Sequence, residues 1–248
     1  MTDEKNLPFI GHLEELRKRL VTSAISVGIG FAACYAFSER LFLILAAPLT
    51  RAMPAGDHLI FTSLPEMFFT YIKVSFVGGV LLASPMVFYQ LWMFVAPGLY
   101  RNEKKLLVPF VIISTILFVG GALFAYFIVF PFGFRFFLGF SSEYVKALPS
   151  VKQYFSFSIK LLLAFGLVFE LPVIIFFLTK LGMVTTDFLK KKRKYALLLT
   201  FMLSAILTPP DVITQCMMAV PLLALYEVGI VVSRFARPVK TEENEEEG

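Results

Sequence analysis

The sequence predicts an all-α polytopic membrane protein with six transmembrane helices, several kinked into a curved wall, and both termini in the cytoplasm. Three observations predict it. First, 58% of the 248 residues are apolar and only 17% are charged, more apolar surface than a soluble domain of this size can hide. Second, charge-free runs of membrane-spanning length recur along the chain; the clearest lies between Lys160 and Lys180 and is interrupted only by Glu170 at its centre. Third, Lys and Arg segregate between alternate connections, sixteen on one side and seven on the other.

Taken in order, the spans read as about 20–38, 74–96, 106–134, 161–179, 195–210 and 212–233. Span two reaches outward toward Met67 if Lys73 snorkels, and span three is long enough to tilt or project. Spans five and six are short. Sixteen uncharged residues lie between Lys194 and Asp211 and fifteen between Asp211 and Glu227, about 22–24 Å of helix against a hydrocarbon core of roughly 30 Å. Either this region is thinned or lines a cavity, or Glu227 lies inside the protein.

The basic residues set the orientation. The N-terminal segment, the 97–105 turn, the 180–194 loop and the tail carry the sixteen, which places them in the cytoplasm. Residues 1–240 form one membrane domain, followed by a disordered acidic tail, 241–248, with five glutamates. Without the tail the chain has 23 basic and 13 acidic side chains, an excess that suits anionic lipid headgroups; nucleic acid is a poor fit for so apolar a protein.

Metal and nucleophile chemistry can be set aside. His12 and His58 fall on opposite sides of the membrane, Cys34 and Cys216 each sit in an apolar run, and no metalloprotease, nucleophile-elbow or phosphate-loop motif occurs. Neither an enzyme nor a cofactor is expected.

Candidate functional residues are polar groups in unusual places. Glu170 lies near the bilayer midplane, where a carboxyl exposed to lipid is costly and faces a partner or a polar cavity. His12–Leu20 starts an amphipathic helix with Phe9, Leu13, Leu16 and Leu20 on one face. Glu14 precedes Lys18 and Glu15 precedes Arg19 at i,i+4, the favourable order. These are ordinary surface ion pairs, or Glu15 is an exposed acceptor for a basic partner. Asn102 is placed to cap span three, with Glu103 against the helix dipole; alternatively Glu103 is a second acid for a cationic peptide, which Arg–carboxylate geometry would favour. Ala24, Gly28 and Ala32 make a small-residue stripe for close packing within the protein. Pro85, Pro172 and Pro221 lie inside spans and bend them. Thr208 and Gln215 flank the outer turn and bond an incoming helix or each other.

Several motifs recur together: His12-Leu-Glu-Glu-Leu-Arg-Lys-Arg19, Ala47-Pro48-Leu49, Phe88-Tyr-Gln-Leu-Trp-Met-Phe94, Ala96-Pro-Gly-Leu-Tyr100, Phe124-Ala-Tyr-Phe127, Phe169-Glu-Leu-Pro172, Thr208-Pro-Pro-Asp211 and Pro221-Leu-Leu-Ala-Leu-Tyr-Glu227. In that order and spacing the chain resembles the TatC family, the core receptor subunits of twin-arginine protein translocases. The resemblance implies a glove-like concave fold in the bacterial cytoplasmic membrane that recognises twin-arginine signal peptides on folded cargo. It also implies assembly with TatA- and TatB-type single-span partners and with further copies of itself, transport being driven by the proton motive force. By the same resemblance Glu15, Arg17, Phe94 and Glu103 belong to signal-peptide recognition and Tyr126 and Glu170 to an intramembrane groove. Pro48 and Asp211 belong to the outer loops, and Thr208 and Gln215 to partner-helix binding. Gly98 in place of a usual Ala, Glu14 beside Glu15 and the small Ala205 are its departures. Rival functions are a proton-coupled small-solute permease with Glu170 as proton carrier, and an assembly scaffold.

Overall fold

Ten α-helices account for most of the residues that the computed structural model describes, namely 7–54 (side chains from residue 11), 56–95, 107–142, 146–208 and 212–236. Helix α1, Leu7–Tyr35, begins thirteen residues before the expected span one, because the amphipathic start runs into the apolar run with no breaker between them. The chain then bends by 85° into α2, Ser38–Thr50. Helix α3, Glu66–Val95, has 30 residues, about 45 Å, longer than a hydrocarbon core of roughly 30 Å.

Helix α4, Leu107–Phe124, passes through a π-helical turn, Ala125–Val129, into α5, Phe130–Leu138. Pro131 explains the widened turn. It has no N–H for the Phe127 carbonyl, and just before it the Phe130 N–H reaches back five residues to the Ala125 carbonyl. Span four begins ten residues earlier than expected, as α6, Val151–Phe169, and resumes after a break at Glu170 as α7, Leu171–Lys180. Gly182, at φ +73°, closes α7: its N–H bonds the Thr179 carbonyl at 3.0 Å, and the Met183 N–H bonds that of Leu178 at 3.0 Å. Short α8, Thr186–Lys191, is capped by the Thr185 hydroxyl, which accepts the Phe188 N–H at 3.2 Å. Helices α9, Arg193–Leu207, and α10, Val212–Ser233, complete the chain.

By length and composition, four of these segments suit a membrane crossing, or five if bent α1–α2 counts as one span. Helix α9, with 15 residues, is short, as expected. Helix α10 is longer than the apolar run that defined span six: it has 22 residues and continues past Glu227. The Glu227 carboxylate accepts a bond from Arg193 Nη2 at 2.6 Å, and both side chains are half exposed. Since Arg193 opens α9, this pair marks one level at which both apolar stretches end.

The chain divides into two compact units, residues 1–163 and 164–248. In the first, α1 and α3 cross backbone to backbone: a Cβ on Gly30 would lie 2.6 Å from the Gly79 carbonyl oxygen, and one on Gly79 2.5 Å from the Phe31 nitrogen. Helix α3 is fixed to α4 by Trp92, which stacks on Phe110 at 4.8 Å and donates from Nε1 to the Ser114 hydroxyl at 3.0 Å. The stripe Ala24, Gly28, Ala32 does not make this packing. It lies on the exposed side of α1, with open space around Gly28. In the second unit, Ile175, Leu189 and Ile230 form a core joining α7, α8 and α10.

Candidate functional site

The first set of expected site residues gathers where the start of α1 meets the end of α3. His12, Glu15 and Arg19 recur at i, i+3 and i+7, which puts them on one face of α1. Gln90 and Phe94 are one turn apart on α3. The His12 ring stacks on Phe94 with centroids 4.5 Å apart and planes 21° from parallel. One turn deeper, Arg19 donates from Nε and Nη2 to Glu15 Oε1 at 3.0 and 2.5 Å, and its Nη1 lies 3.4 Å from Gln90 Oε1. Glu15 is therefore not a bare exposed acceptor but half-buried and paired. Glu14 is the solvated acid: it meets Lys18 at 3.3 Å with both side chains largely exposed. Arg17 is exposed, and so are Leu13 and Leu20 of the amphipathic face. Glu103 lies outside the described residues.

Elsewhere in the same unit, Pro48 and Tyr126 are linked. Pro48 cannot donate to the Ile44 carbonyl one turn back, and the Tyr126 hydroxyl donates to that carbonyl at 2.7 Å. Tyr154 does the same to the neighbouring Leu45 carbonyl at 2.5 Å. Beside Tyr126, an apolar recess of about 250 Å³ is lined by residues including Ile44, Val77, Leu123 and Phe127.

Glu66 holds the outer connections together. Its Oε2 accepts the Thr62 N–H, the Thr62 hydroxyl and the Ser63 N–H at 2.8, 3.1 and 3.3 Å; its Oε1 accepts the Ser150 hydroxyl at 2.9 Å and the Lys152 N–H at 2.6 Å. The last two bonds cap the start of α6, where a carboxylate also complements the helix dipole. A parallel bridge pairs Ile60 with Ser150 alongside. The backbone N–H of Thr62, then that of Lys152, holds the Glu66 carboxyl down at about 2, since both stabilise its charged form.

In the second unit, Glu170 sits at the break between α6 and α7 and is only 6% exposed. Its side chain is thus inside the protein rather than on a bilayer-exposed surface. The break follows from Pro172, which leaves the Val168 carbonyl without its helical donor; the Glu170 N–H turns to Leu167 at 3.1 Å. Thr208 and Gln215 do not bond each other. The Thr208 hydroxyl donates to Ser204 at 2.9 Å, and Gln215 Nε2 donates to the Phe201 carbonyl at 3.0 Å, tying α10 to α9. Asp211 lies outside the described residues.

Sequence reasoning passed over four residues. Arg19 was visible only as an i,i+4 partner, Gln90 only as part of a motif, and Tyr154 as one more aromatic in an outer segment. Glu66 carried the one available signal, an acid at the mouth of an apolar run four residues after a Thr-Ser pair.

Comparison with known proteins identifies the family. The family model for "Sec-independent protein translocase protein (TatC)" matches residues 11–221. The Sec-independent protein translocase protein TatC of Desulforapulum autotrophicum is 55% identical over 98% of this chain and 90% of its own length. That of Escherichia coli K12 is 40% identical over 95% and 91%. A crystal structure described as the twin-arginine translocase receptor TatC superposes with a TM-score of 0.81 at 43% identity, covering 91% of this chain and 99% of that one. With the family model spanning most of its length, the chain belongs to the TatC family of Sec-independent protein translocase proteins.

Proposed function

We propose that this chain is the receptor subunit of a twin-arginine translocase, a single membrane domain of six spans in the bacterial inner membrane with both termini cytoplasmic. It binds the twin-arginine signal peptides of folded proteins and assembles with TatA- and TatB-type single-span partners, and with other copies of itself, for export driven by the proton motive force. The observation that carries the reading is the Glu15 carboxylate, half-buried at the inner end of α1 beside the His12–Phe94 stack and already engaged with a guanidinium. A carboxylate that accepts one arginine in fixed geometry is chemically suited to accept another. Arg17 and Glu103 complete the recognition region in this reading. In the same reading Tyr126 and Glu170 are intramembrane site residues, Pro48 and Asp211 belong to the outer loops, and Thr208 and Gln215 meet a partner helix.

Capture of a twin-arginine peptide by the purified chain, compared with its twin-lysine version, tests this. Preferential capture of the arginine form is expected, with no solute uptake by liposomes holding the chain alone. Uptake without peptide capture would instead establish the permease.

A further inference from the structure

We propose that Arg19 is the gate of this site: its guanidinium occupies Glu15, so a ligand reaches the carboxylate only by displacing an arginine that makes two bonds to it. The inference rests on the reading above, in which Glu15 accepts a guanidinium from a signal peptide.

Two N–H groups of Arg19, Nε and Nη2, converge on Glu15 Oε1 at 3.0 and 2.5 Å. The pair is no solvated surface contact. The Arg19 side chain is 19% exposed and that of Glu15 35%, against 76% and 64% for the neighbouring Lys18–Glu14 pair. Burial makes the internal bond a stronger competitor than an exposed pair would be. The far edge of the same guanidinium, Nη1, lies 3.4 Å from Gln90 Oε1 on α3. Gln90 is buried and neutral, an acceptor that can keep hold of Arg19 once Glu15 is taken.

Competition of this kind sets a threshold that a ligand's own bonds must exceed. An incoming ammonium is a point charge, and directs one bond at the carboxylate where Arg19 made two. An incoming guanidinium makes two parallel bonds and so replaces Arg19 without loss. Its exchange is near even, and any second arginine in the peptide adds to it. Expelling Arg19 costs the same for either ligand, so the gate lowers the affinity of every cation equally, and a ligand with fewer bonds falls short of the threshold. Arg17, two residues from Arg19 and exposed, is on another face of α1 and does not compete.

The test measures binding of labelled twin-arginine and twin-lysine peptides to the full chain in nanodiscs, for the parent, Arg19→Gln, Arg19→Lys and Glu15→Gln. With the gate removed in Arg19→Gln, twin-arginine and twin-lysine binding should both tighten by about tenfold, the worth of one charge-assisted bond. The preference for arginine should persist, since either ligand expels the same occupant. Arg19→Lys, which keeps an occupant making fewer bonds, should fall between. Gln90→Leu, which removes the resting place for Arg19, should weaken twin-arginine binding in the parent but not in Arg19→Gln. Weakened or unchanged binding of both peptides in Arg19→Gln overturns the gate; if Glu15→Gln still abolishes binding, the receptor reading survives that failure. Parent binding indifferent to Glu15→Gln overturns both. Arg19→Lys keeps the charge and the helix propensity, so it decides the matter even where Arg19→Gln fails to fold.

Discussion

Tyr126 completes a hydrogen bond that Pro48 removes. The two residues lie far apart in sequence, yet the Tyr126 hydroxyl donates to the Ile44 carbonyl, the group that a residue with an N–H at position 48 would have satisfied. Within a bilayer no water substitutes for a lost donor, so helix-breaking residues persist only where a side chain re-satisfies the backbone. The same device recurs at Pro85, where the Ser84 hydroxyl donates to the freed Leu81 carbonyl at 2.8 Å.

Tyr126→Phe should therefore destabilise the detergent-solubilised chain by about 1 kcal/mol, the net worth of a typical hydrogen bond. The informative measurement is the cycle with Pro48→Ala, which gives Ile44 a helical donor again. In that background Tyr126→Phe should cost much less. Additive losses in thermal unfolding would show that the two residues act independently.

Gly79 and Gly28 should respond in opposite directions to alanine. A methyl at Gly79 meets the backbone of Phe31 at 2.5 and 2.7 Å, and neither helix can yield without parting. Gly79→Ala should abolish close packing of α1 on α3 and lower the unfolding temperature sharply. Gly28 has open space around it, so Gly28→Ala should be neutral or stabilise by up to roughly 1 kcal/mol through helix propensity. Similar losses at both sites would count against the crossing.

Glu66 predicts a pH dependence confined to the acid side. Its carboxyl is held down to about 2 by the Thr62 and Lys152 N–H groups. A depressed folded value means that its stabilisation is fully present above the ordinary carboxylate range and is lost as pH falls through that range toward 2. Protease cleavage in the outer connections should accelerate over that window and stay flat between pH 5 and 8, estimates that follow from about 4 as the ordinary carboxylate value. Glu66→Gln should flatten the acid dependence and raise cleavage at neutral pH, because an amide nitrogen would face N–H donors that need an acceptor. Unchanged cleavage in the variant would remove Glu66 from this role.

Much of the fold was legible because lipid writes simple rules into sequence: long uncharged runs located the four segments that are long and apolar enough to cross a membrane. What stayed hidden depended on partners distant in sequence. The start of α6 at Val151 rests on Glu66, and Glu227, which interrupts the uncharged run of span six, is held by Arg193. The stripe Ala24–Gly28–Ala32 has the right spacing for close packing, but Gly30, off that stripe, makes the contact, since only α3 decides which face of α1 is covered. At the candidate site the residue types were visible and their pairing was not. Glu15 and Arg19 stood as a local ion pair until Gln90 and Phe94 gave that face a neighbour.

Glu170 supplies the last prediction. It is buried at a helix break, with Pro172 denying the preceding turn its donor. A carboxyl there can serve by bonding or by carrying a proton, and two substitutions separate these. Glu170→Gln keeps a donor and an acceptor but never ionises, whereas Glu170→Ala removes both and leaves a cavity. If the group works by hydrogen bonding within the protein, the Gln variant should retain near-parental thermal stability and cargo export in membrane vesicles. The Ala variant should then lose about 1–3 kcal/mol of stability and export together. Export lost in the Gln variant, with stability and peptide binding intact, would instead assign Glu170 to proton chemistry. Full export in the Ala variant would leave the break at Pro172, and not the carboxyl, as the element that matters.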